Sequence, residues 1–277
     1  MKTNLAFTAS GDVNGYTVSY MQTSKDQFAG MSSARLTVDM GDMGTLAFDQ
    51  GSGSGLGTID DKTPTASEEA WDVGDNNAAA ADDGGGNNSF FYSNSFGEGI
   101  NVYASYTNQY AALGAESYSD WGVSYTGVEG LTIAYAEGEN KQTAGSYDEQ
   151  NTMWATYAYG PVTVGYGKFY VAPTLGAAAQ GTARVTDYEN SSWSLGVAAN
   201  DNLSFSYNLE SSDEHNKTES QTNTTTKTTT EFEIRTIQAA YTMGGMTLSV
   251  ANKKLENMDY TADKDGAETI FAVSMAF

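Results

Sequence analysis

The feature that most constrains the fold is a regular alternation between tight turns and long polar connections. Tight turns occur at GDVNG, GDMG, GEG, GVEG, the Gly160–Pro161 corner, NDN and GG. Glycine and asparagine tolerate the positive φ angles of hairpin turns. The long connections are residues 23–32, 51–89, 108–118, 138–151, 171–191, 211–231 and 256–266. The predicted structure therefore has short turns at one end and long loops at the other.

The segments between these connections alternate with a period of two residues, which is typical of β-strands. We predict fifteen strands, at 5–10, 16–22, 33–40, 45–50, 90–96, 100–107, 119–125, 131–137, 152–159, 162–170, 192–199, 203–210, 232–243, 246–255 and 267–277. No segment approaches the roughly 18 consecutive apolar residues of a membrane-spanning helix. The sequence therefore predicts a single all-β domain over residues 1–277 and excludes a helical membrane protein.

The two faces of the predicted strands differ strongly in polarity. One face carries Ile100, Val102, Ala104 and Tyr106, then Trp193, Leu195, Val197 and Ala199, then Leu203, Phe205, Tyr207 and Leu209. The opposite face carries mainly serine, threonine and asparagine. A soluble β-sandwich also has an apolar face, but it needs no systematic difference between its two ends. An apolar face combined with alternating turn lengths predicts a transmembrane antiparallel β-barrel.

Charge and cysteine content exclude several classes of function. The chain has 35 acidic residues against 13 Lys and Arg, a net charge of -22, which disfavours binding to nucleic acid. The absence of cysteine excludes disulfides and thiolate metal sites. The first ten residues, MKTNLAFTAS, lack the apolar run of a secretory signal.

Strand direction predicts one strand more than the fifteen in this sequence. The segments 5–10 and 267–277 both run towards the short-turn end. Direct pairing between them would be parallel, whereas closure of an antiparallel barrel needs an even number of strands. We therefore expect sixteen strands: either the first strand and the first long loop precede residue 1, or the pattern misjudges residues 1–4.

Three sequence stretches carry a resemblance to a known family. These are SSARLTVDMGDMGTLAFDQ, TIQAAYTMGGMTLSVAN and the terminal ETIFAVSMAF. The chain resembles the general diffusion porins of Gram-negative outer membranes, of the alphaproteobacterial type. The resemblance implies an integral outer-membrane channel for small hydrophilic solutes, in contact with lipid and lipopolysaccharide. It also implies a homotrimer formed through the early strands of residues 5–50, and a role for Phe277 in membrane assembly.

In the resembling family the third long loop folds into the lumen, and residues 51–89 occupy that place if one strand precedes the chain. The predicted constriction acids are Asp60, Asp61, Glu68, Glu69, Asp72 and Asp75, with Asp82 and Asp83 further along and Lys62 as the single base. Such carboxylates would give the pore a mild cation preference. The same composition also fits a solvated, disordered acidic loop, and this alternative stays open.

Opposite charge is expected on the facing wall. Arg35 alternates with Ala34 and Leu36, so we predict that it points inward beside Asp39. Asp49 belongs to the same predicted set, and Arg235, Lys168 and Lys253 are weaker candidates. A change of phase in the apolar residues around Arg235 suggests a β-bulge there.

No group of residues in the sequence has the pattern of a catalytic site, so we expect the protein not to be an enzyme. His215 lies in a predicted acidic loop, where a solvated surface position is the expectation. No cofactor is predicted, although the pairs Asp82–Asp83 and Asp263 with Asp265 keep a structural Ca²⁺ open. The alternative function is that of a soluble, secreted all-β protein that binds Ca²⁺ or glycans.

Overall fold

The computed structural model describes residues 5–25, 30–48, 54–60, 62–67, 89–108, 115–142, 146–172, 183–219 and 225–275. Fifteen β-strands make up most of this part of the chain. They are β1 Ala6–Val13, β2 Tyr16–Ser24, β3 Met31–Asp39, β4 Thr45–Phe48, β5 Ser89–Phe96, β6 Ile100–Thr107, β7 Ala115–Val128, β8 Leu131–Gln142, β9 Ser146–Tyr159, β10 Val162–Ala172, β11 Ala183–Asn200, β12 Leu203–Glu219, β13 Thr225–Met243, β14 Met246–Glu256 and β15 Gly266–Met275.

All fifteen strands belong to one antiparallel sheet, in which each strand pairs with its neighbours in sequence. This confirms the predicted all-β fold class and its meander order. Strands β1 and β15 stand at the two ends of the series and run in the same direction, because both have odd numbers. The expectation of a sixteenth strand therefore remains a prediction.

Helical structure is sparse in the described residues. A short helix, α1, spans Gly55–Ile59, and single 3₁₀ turns span Gly41–Met43 and Met258–Tyr260. None of the described helices is long and apolar enough to cross a membrane.

The alternation of turn lengths is confirmed, but the later strands are longer than predicted. β11, β12 and β13 contain 18, 17 and 19 residues. The predicted long connection 211–231 is therefore mostly strand, and only three residues separate β8 from β9. The reason is that both faces are polar in these extensions, so the alternation of apolar residues that marks a strand disappears from the sequence.

The sheet has an inner and an outer face. We call inner the face on which α1 and residues 62–67 pack, and outer the opposite face. The predicted apolar rows lie on the outer face, where they are strongly exposed: Trp193 is 59% exposed and Phe271 is 79% exposed. The register places the rows of neighbouring strands side by side, with Trp193 opposite Leu209 and Leu195 opposite Tyr207. A continuous apolar band therefore covers the outer face.

The buried apolar residues lie on the inner face, in two separate clusters. The first joins Leu56 and Ile59 of α1 to wall residues of β8, β9 and β10, which are Ala134, Ala136, Trp154 and Phe169. The second joins Phe232, Ile234 and Leu255 to Met258 and Tyr260. Both clusters hold a connecting segment against the inner wall.

Candidate functional site

The N-terminus of α1 is fixed to the inner wall by one buried carboxylate. Asp120 of β7 is 5% exposed. Its Oδ1 accepts hydrogen bonds from the Gly55 N–H at 2.8 Å and the Ser105 hydroxyl at 2.5 Å. Its Oδ2 accepts from the Leu56 N–H at 3.1 Å and the Tyr118 hydroxyl at 2.9 Å. The unpaired N–H groups at a helix start are thereby satisfied by an anion, as backbone geometry requires.

The C-terminal end of α1 is held by two residues of β9. The Trp154 indole N–H donates to the carbonyl oxygens of Ile59, at 3.2 Å, and Asp60, at 2.9 Å. The Thr152 hydroxyl donates to the same Asp60 carbonyl at 3.0 Å. Asp60 has a left-handed φ of 60°, which turns the chain away from the helix axis at this point. Both ends of α1 are thus bonded to the wall.

Residues 62–67 continue along the inner face towards β12. The Pro64 ring packs over Gly165, where any side chain would collide with it. The Pro64 carbonyl accepts from the Asn208 amide at 3.5 Å, and the Ala66 N–H donates to the Ser206 hydroxyl at 2.9 Å. The described parts of the connection between β4 and β5 therefore lie against the inner wall from β6 to β12.

A second connection also folds onto the inner face. The 3₁₀ turn Met258–Tyr260, between β14 and β15, places the Tyr260 hydroxyl 2.6 Å from the Ser212 hydroxyl. The Tyr260 ring packs on Tyr188, with ring centroids 5.1 Å apart. Burial, together with the neighbouring Glu214 carboxylate, raises the pKa of Tyr188 to about 12, so its phenol stays neutral at ordinary pH. Asn257, Asp259, Tyr260 and Asp263 all have left-handed φ angles, a concentration of strain that is more common at functional sites than elsewhere.

Solved structures with the same architecture include bacterial porins. The anion-selective porin of Comamonas acidovorans is 13% identical and matches 100% of this chain and 90% of its own, with a TM-score of 0.63. The trimer form of OmpT, an outer-membrane protein of Vibrio cholerae, is 11% identical over 99% of this chain and 91% of its own, with a TM-score of 0.63. A triple mutant of Rhodopseudomonas blastica porin is 12% identical over 99% of this chain and 89% of its own, with a TM-score of 0.61. The chain has the fold of the bacterial porins. No protein-family model and no curated protein sequence matches it.

The α1 helix and residues 62–67 pack on the inner face of this porin-like sheet. Of the predicted constriction acids, Asp60 lies in this segment, with its side chain exposed. The remaining predicted acids fall outside the described residues, as does the predicted assembly residue. These are Asp49, Asp61, Glu68, Glu69, Asp72, Asp75 and Phe277.

Two of the predicted wall residues lie on the inner face of the sheet. Arg35 of β3 pairs with Met21 and, together with side chains of β1 and β2, lines an open groove of about 330 Å³. Asp39 has the same orientation but lies at the short-turn end, where its carboxylate accepts the Gly41 N–H at 2.9 Å. Asp39 therefore stabilises a turn far from α1.

Lys168 and Arg235 lie on the outer face, contrary to the prediction that they face the lumen. Lys168 alternates with Val164 and Tyr166 of the apolar band. Arg235 pairs across strands with Leu209 and forms ion pairs with Glu233 and Glu256.

The expected bulge near Arg235 is also absent, because β13 keeps an unbroken register with β12 and β14. The apolar residues change face there because Phe232 and Ile234 pack inside, in the cluster with Tyr260. The sequence pattern alone could not distinguish this inward packing from a bulge.

Lys253 is the basic residue that the structure places deepest in the inner wall. It lies on β14 opposite Thr236 and is 0% exposed. Beside it, the inner wall of β11–β13 carries a polar patch of Ser192, Ser194, Asn208, Glu210, Thr236 and Gln238, all buried. Within the described residues, the Ser192, Ser194 and Thr236 hydroxyl oxygens and the Asn208 amide oxygen have no hydrogen-bond partner.

Sequence reasoning missed the residues that fix α1 to the wall. Asp120 was overlooked because the interpretation of β7 rested on its outward apolar residues. The available signal was a carboxylate two residues before Gly122, since a glycine inside a strand often marks the close approach of another segment. For Tyr260 the sequence offered no comparable signal. Among the pairs considered for Ca²⁺, Asp263 and Asp265 lie in the β14–β15 connection, and Asp82 and Asp83 fall outside the described residues.

Proposed function

We propose that the protein is a passive outer-membrane diffusion channel for small hydrophilic solutes. The observation that carries the proposal is the path of residues 54–60 and 62–67, which are bonded to the inner wall of a porin-like sheet from β6 to β12. A segment in this position narrows the lumen without needing to move during transport.

The two faces of the sheet support the same function. The outer face presents an apolar band suited to lipid and, near the long-loop end, to lipopolysaccharide. The inner wall presents hydroxyl, amide and charged groups that can replace part of the hydration shell of a passing solute. A soluble Ca²⁺- or glycan-binding role is not proposed, because a soluble protein would have to expose Trp193, Phe271 and their neighbours to water. No enzymatic role is proposed.

We further propose that the channel mildly prefers cations. A neighbour with the same fold is an anion-selective porin, so the fold leaves selectivity to the charges of each chain. This chain carries a net charge of -22. Asp60 lies on the inward segment, and the proposed acids beyond it would add to its field. Arg35 and Lys253 on the facing wall moderate the preference.

The channel proposal is tested in planar lipid bilayers. Purified protein should insert in large, stepwise conductance increments, and a salt gradient should give a reversal potential that favours cations. Because the native chain contains no cysteine, Asp60→Cys and Lys168→Cys each create a single reactive thiol. A bulky, membrane-impermeant thiol reagent should reduce the conductance of D60C and leave K168C unchanged, since Lys168 lies on the outer face.

Equal responses of the two variants would show that the α1 segment does not border the conducting path. Absence of any conductance from correctly folded protein would refute the channel itself. Deletion of residues 60–83 gives a second test, because removal of a constricting segment should raise the single-channel conductance.

We also propose a homotrimer, formed through the outer face of β1–β4. These strands contain only 4 to 9 residues, shorter than most later strands. Their outward residues include the small Ala9 and Ala34 beside Leu36 and Leu46. Leu36→Arg should convert trimers to monomers on light-scattering analysis in detergent. Leu195→Arg, in the long wall, should leave the trimer intact, and dissociation by L195R alone would place the contact elsewhere.

A further inference from the structure

The single histidine of the chain lies against two carboxylates on the outer face. His215 is half-buried in β12, not in a loop as expected, and its Nδ1 lies 2.5 Å from the Asp187 Oδ2. Glu189 completes a group in which one donor atom from each residue lies within 4.8 Å of the others. One imidazole nitrogen and two carboxylate oxygens are thus close enough to share a metal ion.

Strand register brings these three residues together. Asp187 of β11 is directly opposite His215, and Glu189 follows two residues later on the same face. The pairing shifts between Val185 and Asp187, a β-bulge of the kind that re-aims side chains next to binding sites. Within the bulge, the Thr186 hydroxyl donates to the His215 carbonyl at 3.0 Å. The backbone is therefore fixed on both sides of the group.

The surroundings of the group are strongly negative. Glu189 is directly opposite Asp213, which is opposite Glu231 on the next strand. Like charges in directly opposed positions destabilise a sheet. Basic positions on this face lie one register step away from the group. Lys168 is diagonal to Glu189, Lys217 follows His215 by two residues, and Lys227 is directly opposite Lys217.

We propose that Asp187, Glu189 and His215 bind a divalent transition-metal ion, with Zn²⁺ as the best chemical match. Imidazole nitrogen and carboxylate oxygen are both zinc ligands, and water can supply the remaining position because Glu189 is exposed. Ca²⁺ instead prefers six to eight oxygen ligands. Metal binding requires the Asp187–His215 contact to open to roughly 3.3 Å, the spacing of two ligands in a tetrahedral zinc site.

The bound ion would have a structural role. It would link β11 to β12 beyond the apolar band and offset the repulsion among Glu189, Asp213 and Glu231. This site is separate from the proposed lumen constriction, because it lies on the opposite face of the sheet.

The test is a Zn²⁺ titration of the untagged, full-length protein in detergent, after treatment with EDTA and gel filtration. Isothermal titration calorimetry should show one saturable site per chain, and Zn²⁺ should raise the thermal denaturation midpoint. His215→Gln and Asp187→Asn should each weaken binding by roughly 10- to 100-fold or more. Glu139→Gln, which removes another outer-face carboxylate three strands away, should bind Zn²⁺ as the native protein does.

Several outcomes would overturn the metal site. These are absence of saturable Zn²⁺ binding, unchanged binding by H215Q, or equal displacement by Ca²⁺, which would indicate charge screening alone. Far-UV circular dichroism and heat-modifiable gel mobility establish that each variant is folded, and D187N gives a second reading if H215Q does not fold. Because no conductance is measured, failure here leaves the channel proposal intact.

Discussion

The Oδ1 atom of Asp120 lies 2.8 Å from the backbone nitrogen of Gly55, a residue 65 positions earlier in the chain. This contact links the wall of the barrel to the first turn of α1. Because Asp120 is buried and accepts four hydrogen bonds, it fixes both the position and the orientation of the segment. Asp120 therefore holds the N-terminal end of α1, as Trp154 and Thr152 hold its C-terminal end.

Asp120→Asn should loosen this link. The amide nitrogen is a donor and replaces one of the two accepting oxygens, so either the Gly55 N–H at Oδ1 or the Leu56 N–H at Oδ2 loses its acceptor. An unsatisfied buried group costs about 1–3 kcal/mol. We expect a lower thermal denaturation midpoint and noisier single-channel currents. Ser54→Ala, which removes the helix cap bonded to the Gly57 N–H, is the milder comparison, at about 1 kcal/mol. Native-like current noise in D120N would contradict this anchoring role.

Gly122→Ala should displace α1 from the wall. A Cβ at Gly122 would lie 2.8 Å from the Ile59 Cγ1 and 3.0 Å from the Gly55 carbonyl oxygen. Overpacking of this kind costs about 1–3 kcal/mol. Gly11→Ala is the matched control, because nothing lies within 4 Å of its added methyl group. Thermal denaturation and single-channel conductance should both change in G122A, whereas G11A should behave as the native protein does. Identical behaviour of the two variants would argue against close packing at Gly122.

Lys253→Gln should increase the cation preference of the channel, and Lys254→Gln should not. The two residues are adjacent in β14, but Lys253 is buried in the inner wall and Lys254 is exposed on the outer face. We expect the ratio of cation to anion permeability to rise by about twofold in K253Q, equivalent to ~0.4 kcal/mol. Reversal potentials in a salt gradient measure the ratio. A larger effect from K254Q would reverse the assignment of the two faces.

Glu231→Gln should stabilise the barrel at neutral pH. Burial and the nearby Asp213, Glu233 and Glu256 carboxylates raise the pKa of Glu231 above its ordinary value of 4.5. The folded state therefore holds this proton more tightly than the unfolded state, and its contribution to stability is lost as pH rises through the raised pKa.

The denaturation midpoint of E231Q should accordingly exceed that of the native protein at pH 7, and the difference should vanish below about pH 4. Glu129→Gln, in the exposed turn between β7 and β8, should show no such pH-dependent gain. A difference in E231Q that is the same at both pH values would exclude protonation as its cause.

The fold was predictable from the sequence because outward and inward residues differ in chemistry along most strands. Residues such as Trp193, Leu195 and Val197 share one face only if the segment is a β-strand. The tight turns then make successive strands neighbours in the sheet. The long-loop ends of β11–β13 escaped prediction because both faces are polar there. His215 was consequently assigned to a loop, although it lies in a paired strand.

The candidate site was predictable only in outline. Alternation assigned Arg35 and Leu36 to opposite faces, and β3 has this arrangement; a role of Arg35 in the constriction stays a prediction. The same rule gave the wrong face for Arg235, because its neighbours Phe232 and Ile234 pack on the inner face. In the sequence, such apolar residues look the same as residues that face lipid.

The sequence by itself determined an all-β meander with one apolar face and with long loops at one end. These features follow from a two-residue period and from the residues that favour tight turns. Only the tertiary structure decided which connection lies on the wall and which residues hold it there. Asp120 meets Gly55, and Tyr260 meets Ser212, through contacts between residues far apart in the chain. No local pattern encodes such contacts, because they depend on how fifteen strands in register bring distant positions to the same place on the inner face.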